Sequence, residues 1–345
     1  MEKLIKMENR EALVSRRVTN WFRGVAVIMV IVSHYSEWWS WFQLEEGIRE
    51  VFRYGLSKMG PYGVGIFFLF SGYGLAKSAG KGRINFSFVL KRIISVYIPY
   101  LIIVLLIELL SDGFHSKEDF LRIFYGQDFW YMTVLFLLYG GFMLIWFLFK
   151  NSELRMIALC IFTYVCNDFL YKNGKQDFWF ISNWCFPIGA LLAVYEIQSK
   201  NIVDKLGKFI LPMLSVLVMG IIYFGLFSNY VWETVEQENL ARVWAVILFT
   251  IFVAVLSAVW KKCDIILPVI GKYSLYFYLT HTFLFMTIIN SLEAPLKEQY
   301  VVVILVTMIV SIFLGKMIES LIKAIHGKIM NVLNPQMNEK AFGIK

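Results

Sequence analysis

Charged side chains are scarce in this sequence. Lysine, arginine, aspartate and glutamate together make up only 17% of its 345 residues, whereas about a quarter of a typical soluble domain is charged. Hydrophobic residues make up 59%, and the mean hydropathy is +0.64. The chain therefore lacks the charged surface that a soluble protein of this length needs, and the composition excludes that class.

Several short enzyme motifs are also absent. The sequence contains no His-Glu-x-x-His, no Gly-x-x-x-x-Gly-Lys-Ser/Thr and no Gly-x-Ser-x-Gly. These absences argue against a zinc metalloprotease, a P-loop ATPase and a hydrolase with a nucleophile elbow. Only four histidines and four cysteines are present, and no cysteines form a Cys-x-x-Cys pair. We therefore expect no metal site.

Continuous apolar runs take the place of the missing charge. A bilayer is crossed by a helix of about 20 apolar residues, and runs of this length favour helices over the alternating strands of a membrane barrel. The sequence predicts an all-α polytopic membrane protein with about ten transmembrane helices, near residues 21–42, 60–77, 93–111, 129–149, 154–171, 178–197, 209–228, 240–260, 273–292 and 300–322. The stretch "CDIILPVIGKY" before the ninth run is either part of that span or a short separate or re-entrant piece.

The basic residues around these runs predict the orientation. If the N-terminus is cytoplasmic, most of the 33 lysines and arginines lie on the cytoplasmic side, while the opposite loops are rich in acid. Both termini are then cytoplasmic, and the net charge of +8 is mainly a topology signal, so we expect no nucleic acid partner. The predicted organisation is a cytoplasmic segment over 1–20, a membrane domain over 21–322 and a cytoplasmic tail over 323–345. The polar start of the chain predicts no cleavable signal peptide.

The first apolar run contains two ionisable residues, Arg23 and His34, which are costly in lipid. Eleven residues rotate an α-helix by about 1100°, so both side chains share one face about 16 Å apart, with Ala26 and Val30 as a smooth stripe between them. A histidine there is able to take a proton from a hydroxyl near neutral pH. Glu37 either orients His34 or marks the outer end of the span. The alternatives are a snorkelling anchor for Arg23 and an interhelical hydrogen bond for His34.

The second notable stretch is "GVGIFFLFSGYGLAKSAGKGR", residues 63–83. Its glycines allow close helix contact or a break near Ser71 and Tyr73. Basic residues follow and continue to Lys91 and Arg92 at the head of the third span. Such a cluster binds either anionic lipid or the phosphates of a nucleotide-containing cofactor, and composition alone does not decide between them.

The third stretch is "GKYSLYFYLTHTF", residues 271–283. It begins the ninth span with an unusual number of hydroxyl groups, including that of Tyr278. It also holds His281, the only other histidine within a predicted span. Because polar groups are costly in lipid, we expect this stretch to face a cavity or the bundle interior.

Together these stretches resemble the acyltransferase-3 family of integral-membrane acyltransferases. The matching motifs, in chain order, are Arg23-Gly24-Val25-Ala26 with the later His34, "FFLFSGY" at 67–73, Lys91 and Arg92 with Pro99, Trp130-Tyr131, and "SLYFYLTH" at 274–281. They span essentially the whole chain. One position departs from the family pattern, since Ser95 stands where the family often has the second arginine of Arg-x-x-Arg.

The resemblance implies transfer of an acyl group, usually acetyl from acetyl-CoA, to a hydroxyl of an extracytoplasmic glycan or lipid-linked sugar. We expect a multi-pass protein of a bacterial plasma membrane, without the soluble esterase-like domain of some members. The expected partners are the bilayer, acyl-CoA and a carbohydrate acceptor, and a homodimer is left open. The implied site residues are His34 and Glu37 for catalysis, Arg23, Lys91 and Arg92 for the CoA phosphates, and Ser71, Tyr73, Trp130, Tyr278 and His281 for the acceptor or the oxyanion.

Two points stay open at this stage. His34 either acts as a general base or carries the acyl group briefly itself. The protein is alternatively a transporter or flippase of glycan precursors, or a non-catalytic membrane scaffold. A scaffold gives no reason for Arg23 and His34 to share a face, and a transporter needs no acyl-CoA.

Overall fold

The computed structural model describes residues 14–37, 46–50, 56–80, 84–111, 116–126, 129–196, 198, 210–227, 234–259, 266–291 and 300–333. Within these ranges the chain is helical and contains no strand. The α-helices, numbered in chain order, are α1 (Arg16–Glu37), α2 (Glu46–Glu50), α3 (Gly60–Ala79), α4 (Phe86–Arg92), α5 (Ile98–Leu110), α6 (Lys117–Phe124), α7 (Trp130–Leu148), α8 (Ser152–Lys172), α9 (Cys185–Val194), α10 (Ile210–Phe227), α11 (Val235–Val259), α12 (Ile266–Lys272), α13 (Ser274–Ser291) and α14 (Tyr300–Leu333). A π-helical segment at Ile93–Tyr97 joins α4 to α5, and 3-10 turns lie at Leu56–Met59 and Asp177–Trp179.

Each predicted apolar run overlaps a helix, with three differences in detail. In the sixth run α9 covers only ten residues, because a 3-10 turn and further turns occupy residues 177–184. The segment before the ninth run forms α12, so the separate-piece alternative is the one that the structure shows. The last helix continues to Leu333, past the predicted end of the span at residue 322.

Four helical stretches are long and apolar enough to cross a membrane, judged by length and composition within the described residues. They are Phe86–Leu110, Trp130–Leu148, Ser152–Lys172 and Val302–Ala324. Large apolar side chains such as Leu109, Phe147 and Phe313 are about two-thirds exposed on them (66%, 59% and 62%). Exposed apolar surface of this extent suits lipid rather than water. The helices and their composition indicate an integral membrane protein, while the count of ten crossings and the orientation stay predictions.

Helix α3 lies at the centre of the described bundle, with most of its residues buried. It runs antiparallel to α1: the start of α3 meets Ser33, and Phe70 stacks on Phe22 with ring centroids 4.9 Å apart. Its other side packs on α9 through backbone contact. A Cβ added at Gly72 would lie 2.0 Å from the carbonyl oxygen of Phe186, and one at Gly189 would lie 1.9 Å from a carbonyl oxygen of α3. Only glycine permits this approach.

The course of α1 defines two ends of the molecule, here the Arg16 end and the Glu37 end. Helix α12 runs along α1 towards the Arg16 end, where Gly271 is in backbone contact with Asn20. The chain reverses at Tyr273, and α13 returns to bring His281 beside α1 near the Glu37 end. Helix α14 then runs back to the Arg16 end, where its Glu319 accepts a hydrogen bond from Tyr273. The polar start of the ninth span therefore faces α1 inside the bundle.

Candidate active site

His34 of α1 and His281 of α13 are in direct contact. Nδ1 of His34 lies 2.6 Å from Nε2 of His281, which is hydrogen-bonding distance. The two rings are nearly parallel, with centroids 4.9 Å apart and planes inclined by 16°. His281 is 2% exposed, and His34 is partly buried. The two histidines within predicted spans thus form one pair, although they are 247 residues apart in the sequence.

Backbone carbonyls determine which nitrogen of each neutral ring carries the proton. Nδ1 of His281 lies 2.7 Å from the carbonyl oxygen of Tyr278 and 3.1 Å from that of Phe277. A carbonyl only accepts hydrogen bonds, so this Nδ1 is protonated and Nε2 of His281 is an acceptor. Nδ1 of His34 must then donate to it. Nε2 of His34 is left as the unprotonated nitrogen, which is the form that a general base requires.

The histidine pair is held by polar contacts between α1, α13 and α14. The Tyr35 hydroxyl donates to Oγ1 of Thr307 at 2.9 Å and lies 3.3 Å from the carbonyl oxygen of His281. Thr280 and Ser311 join α13 to α14 through a hydroxyl contact of 2.7 Å. Because these groups are buried, each contact is expensive to break. The backbone that positions His281 is therefore fixed by its neighbours.

A cavity of about 380 Å³, here called the basic cavity, begins at the Arg16 end. Its lining includes four cationic residues, Arg16, Arg23, Lys272 and Lys323, and one carboxylate, Glu319. Glu319 pairs with Nζ of Lys272 at 2.8 Å and with Nζ of Lys323 at 2.9 Å. The bond to Glu319 raises the pKa of Lys272 above its ordinary value, so this lysine stays charged at physiological pH. The mouth carries an excess of positive charge and suits a phosphate-bearing ligand.

The inner end of the basic cavity is aromatic. Tyr131 of α7 and Tyr278 of α13 both line it, and their rings meet edge to face with centroids 5.0 Å apart. The Tyr278 ring lies 5.9 Å from the His281 ring, and the carbonyl oxygen of Tyr278 accepts a hydrogen bond from Nδ1–H of His281. The cavity therefore leads from the cationic mouth to within one helical turn of the histidine pair.

Several predicted site residues come together in this arrangement. Arg23, Ser71 and Tyr278 line the basic cavity, and His281 pairs with His34. His281, predicted to line the acceptor site or to stabilise the oxyanion, is the hydrogen-bond partner of Nδ1 of His34, and its role towards the acceptor stays a prediction. Glu37 is exposed at the last residue of α1.

Four other predicted site residues do not line the basic cavity. Lys91 is exposed, and the guanidinium of Arg92 stacks on the ring of a neighbouring phenylalanine at 5.2 Å. The Tyr73 hydroxyl donates to Glu196 at 2.5 Å on the opposite side of α3. Trp130 packs against the aromatic residues of the turn before α9. Their roles in donor and acceptor binding stay predictions, and the structure gives them no place next to the histidine pair.

The stripe between Arg23 and His34 is covered. Ala26 and Val30 are 0% and 1% exposed, because α3 packs on them with Gly63 against the carbonyl oxygen of Ala26 and the side chain of Val30. Neither residue lines the basic cavity. The basic cavity therefore approaches the histidine pair along the tyrosines of α7 and α13 and not along the stripe of Ala26 and Val30.

Sequence reasoning missed the cations from distant helices. Ser95, at the position where the family often has a second arginine, lines the basic cavity, and Lys272 and Lys323 lie on the same cavity. Both lysines were interpreted from the sequence only as charges that set the orientation of the chain. One available signal was that Lys272 directly precedes the polar start of the ninth span. A second was Glu319, which is one helical turn before Lys323 near the end of the last span.

Comparison with known proteins gives the family. The model of the acyltransferase-3 family, described as an acyltransferase domain, matches residues 19–316. Comparison with curated proteins and with solved structures gave no significant match. The matched residues include Arg23 and both members of the histidine pair, and they cover most of the chain. The protein therefore belongs to the acyltransferase-3 family and is an acyltransferase.

Proposed function

We propose that the protein is an integral-membrane O-acyltransferase that moves an acyl group, in the first instance acetyl, from cytoplasmic acyl-CoA to a hydroxyl of an extracytoplasmic glycan or lipid-linked sugar. One observation carries this proposal. The basic cavity extends to Tyr278, one helical turn from His281, and the hydrogen bonds of the histidine pair leave Nε2 of His34 unprotonated. A general base at the end of a phosphate-binding mouth suits acyl transfer from CoA.

The donor binds with its phosphates at the Arg16 end. CoA carries several negative charges, and Arg16, Arg23, Lys272 and Lys323 provide charge-assisted hydrogen bonds to them. The positive-inside distribution of the sequence supports a cytoplasmic position for this end, where acyl-CoA is available. The acyl-bearing arm then occupies the cavity as far as Tyr131 and Tyr278.

The transfer step needs one base and one leaving group. Nε2 of His34 takes the proton of the acceptor hydroxyl while that oxygen forms a bond to the thioester carbonyl carbon. The carbon–sulfur bond breaks, and the CoA thiolate takes the proton from His34 as it leaves. The products are the acyl ester and CoA thiol, and His34 returns to its neutral form.

His281 is a positioning residue in this scheme. Its Nε2 accepts a hydrogen bond from Nδ1–H of His34, which holds the His34 ring in the tautomer with an unprotonated Nε2. When His34 becomes positively charged, the same bond becomes charge-assisted and stabilises the cation without rearrangement. The acceptor reaches His34 from the Glu37 end, which we place on the extracytoplasmic side of a bacterial plasma membrane.

The test is the variant His34→Gln in cells and in proteoliposomes. We expect formation of acetylated glycan from labelled acetyl-CoA to fall by about 10²- to 10⁴-fold, since the base is lost. Mass spectrometry of surface glycans gives the same readout in cells. The control is His115→Gln, at a histidine outside the predicted spans, which should keep full activity.

Full acetylation by His34→Gln at normal expression would overturn the proposal. Binding of acetyl-CoA to the wild-type protein separates an acyltransferase from a transporter of glycan precursors, which needs no acyl donor. A wild-type protein that exports glycan but neither binds nor consumes acetyl-CoA would support the transporter instead.

A further inference from the structure

A second cavity of about 750 Å³ lies between α8, the start of α9 and the start of α11. We call it the asparagine cavity, after its lining residues Asn167 and Asn239. It belongs to the Glu37 end, because Ser182, just before α9, donates to the carbonyl oxygen of Pro61 at 2.8 Å, and the start of α3 in turn contacts Ser33. None of its lining residues belongs to the basic cavity or to the histidine pair.

One face of α8 supplies a polar and aromatic stripe to this cavity. Tyr164, Asn167, Asp168 and Tyr171 follow the i, i+3, i+4, i+7 spacing of a single helix face, and all four line the cavity. Helix α8 is also one of the stretches apolar enough to cross a membrane. Polar groups on such a helix are costly unless they face a cavity or a partner. The stripe therefore indicates a site rather than ordinary lipid-facing surface.

Helix α11 presents a matching face. Glu236, Asn239, Leu240 and Val243 repeat the same spacing and line the cavity from the opposite wall. Two helices that bring amides and carboxylates to one space produce a polar wall that packing alone does not require.

The hydrogen bonds around Asn167 leave one of its groups without a partner. Nδ2 of Asn183 donates to the carbonyl oxygen of Trp179 at 3.1 Å and to Oδ1 of Asn167 at 2.9 Å. Since the carbonyl only accepts, the orientation of both amides follows from this chain of bonds. Nδ2 of Asn167 is then a buried donor with no partner among the described residues, on a side chain that is 8% exposed.

Within the part of the chain that the structure describes, Asn239 lacks a hydrogen-bond donor where Asn167 lacks an acceptor. Its Oδ1 is a buried acceptor, also without a partner among the described residues. Buried polar groups are nearly always bonded, and an unmade bond costs about 1–3 kcal/mol. A ligand with hydroxyl groups offers donors and acceptors together, and the side chains of both asparagines line the space that it would occupy. Lipid tails offer neither.

Aromatic contacts and the charge of the lining further restrict the class of ligand that suits the cavity. Tyr171 meets Phe180 edge to face at 6.0 Å, and Trp184 also lines the cavity, so the apolar face of a sugar ring finds aromatic surface. Among the described residues, the cavity lining contains two carboxylates, Asp168 and Glu236, and no lysine or arginine. Asp168 is paired with Lys172 at 2.8 Å. The remaining negative charge of Glu236 disfavours phosphate and uronate ligands.

We propose that the asparagine cavity binds an uncharged sugar ring, a hexopyranose or its N-acetylamino form, within a carbohydrate chain. The binding itself follows from the lining of the cavity. Its place in catalysis rests on the proposed function: the cavity holds one sugar unit of the acceptor while another unit presents its hydroxyl to His34. The site thereby selects neutral over acidic glycans.

The test is saturation-transfer difference NMR on the full chain, purified in a detergent without a sugar headgroup. The probes are methyl glucopyranoside, methyl N-acetylglucosaminide and the matching methyl glucuronide. We expect transfer to both neutral glycosides, and at least about fivefold less to the glucuronide. Tyr171→Ala and Asn239→Ala should each reduce the neutral signals by at least about fivefold.

The matched controls lie on the same two helices. Phe169 is exposed to the same degree as Tyr171 (62% against 61%) but does not line the cavity. Gln237 is two residues before Asn239 on α11 and does not line the cavity either. Phe169→Ala and Gln237→Ala should keep the signals. No transfer to a neutral glycoside, or transfer that survives both cavity variants, would overturn the inference. A cavity occupied by a phospholipid headgroup would give the first of these results.

The experiment also separates this inference from the proposed function. His34→Gln should retain glycoside binding, since His34 does not line the asparagine cavity. Loss of the signal in His34→Gln but not in Tyr171→Ala would mean that the sugar binds only at the histidine pair, against the inference. A chain that binds glycoside through Asn239 but transfers no acetyl would contradict the proposed function and leave this inference standing. A chain that transfers acetyl without binding glycoside would contradict this inference and leave the proposed function standing.

Discussion

The basic cavity and the asparagine cavity are separated by the contact of α3 with α9, and their polar groups are satisfied differently. In the basic cavity the polar groups are charged, and some of them already pair, as Lys272 and Lys323 do with Glu319. In the asparagine cavity the unsatisfied groups are neutral amides that are buried. Exposed cations such as Lys272 and Lys323 exchange water for a phosphate at little cost, whereas buried amides need a partner of fixed geometry. The first cavity thus suits an anionic donor and the second a neutral polyol.

Because the two cavities are lined by different residues, we expect acyl transfer and glycoside binding to be lost separately. Variants of the histidine pair should stop transfer without changing glycoside binding, and variants at the mouth should change the apparent affinity for the donor alone. Only a change at the contact between the cavities should affect both.

After His34→Gln, the largest effect is expected for His281→Leu. Loss of the acceptor for Nδ1 of His34 leaves the ring free to adopt the wrong tautomer. We expect kcat to fall by about 10²- to 10³-fold, while KM for acetyl-CoA stays within about twofold. Steady-state kinetics with labelled acetyl-CoA in proteoliposomes gives both constants.

His281→Gln provides the control for a positioning role. The glutamine amide oxygen is again able to accept from His34, so we expect about tenfold recovery of kcat over His281→Leu. Equal loss of kcat in both variants, or a fall in stability that matches the loss of activity, would contradict the tautomer argument.

The second largest effect concerns the wall between the cavities. Gly72→Ala would place a methyl group 2.0 Å from the carbonyl oxygen of Phe186, so α9 must move away from α3. We expect a loss of about 2–3 kcal/mol in stability, seen as a lower melting temperature in detergent. Both acetyl-CoA binding and glycoside binding should weaken.

Gly74→Ala is the matched control, since nothing lies within 4 Å of a Cβ at that position. Alanine favours a helix by up to about 1 kcal/mol over glycine, so this variant should be neutral or slightly stabilised. Equal melting temperatures for the two variants would show that α3 and α9 do not touch as described.

The sequence predicted the helical class and both histidines, but not how the histidines meet. Periodicity identifies the face of a helix, and it placed Arg23 and His34 together on α1. The partner of that face is set by tertiary packing, which brings His281 from 247 residues away. No local pattern contains this information.

Neighbouring residues of one motif also differ in whether they line the basic cavity, which the sequence alone did not predict. Trp130 and Tyr131 differ by about 100° around α7, and only Tyr131 lines the basic cavity. Ser71 and Tyr73 differ by about 200° around α3, so Ser71 faces the cavity while Tyr73 bonds to Glu196. A short motif identifies the helix that supplies a site, but the side chain that reaches the site depends on the rotation of that helix.

The third prediction addresses the donor mouth. Arg23→Gln removes one phosphate contact from the basic cavity, so KM for acetyl-CoA should rise about tenfold with kcat nearly unchanged. Added salt should raise KM of the wild type more than that of the variant. Arg17→Gln, on the same helix but outside the cavity lining, should behave as wild type. An unchanged KM in Arg23→Gln would place the CoA phosphates elsewhere, for instance at Lys91 and Arg92.

The smallest effect is expected for Lys323→Gln. This lysine is exposed, and its ion pair with Glu319 is shared with Lys272, so the variant removes one of several cations and leaves Glu319 partnered. We expect KM for acetyl-CoA to rise only about two- to threefold, and glycoside binding to stay unchanged. Lys272→Gln should have the larger effect, because this lysine sits on α12, which backbone contact fixes against α1. The reverse order in parallel KM measurements would mean that the donor enters along α14 rather than between α1 and α12.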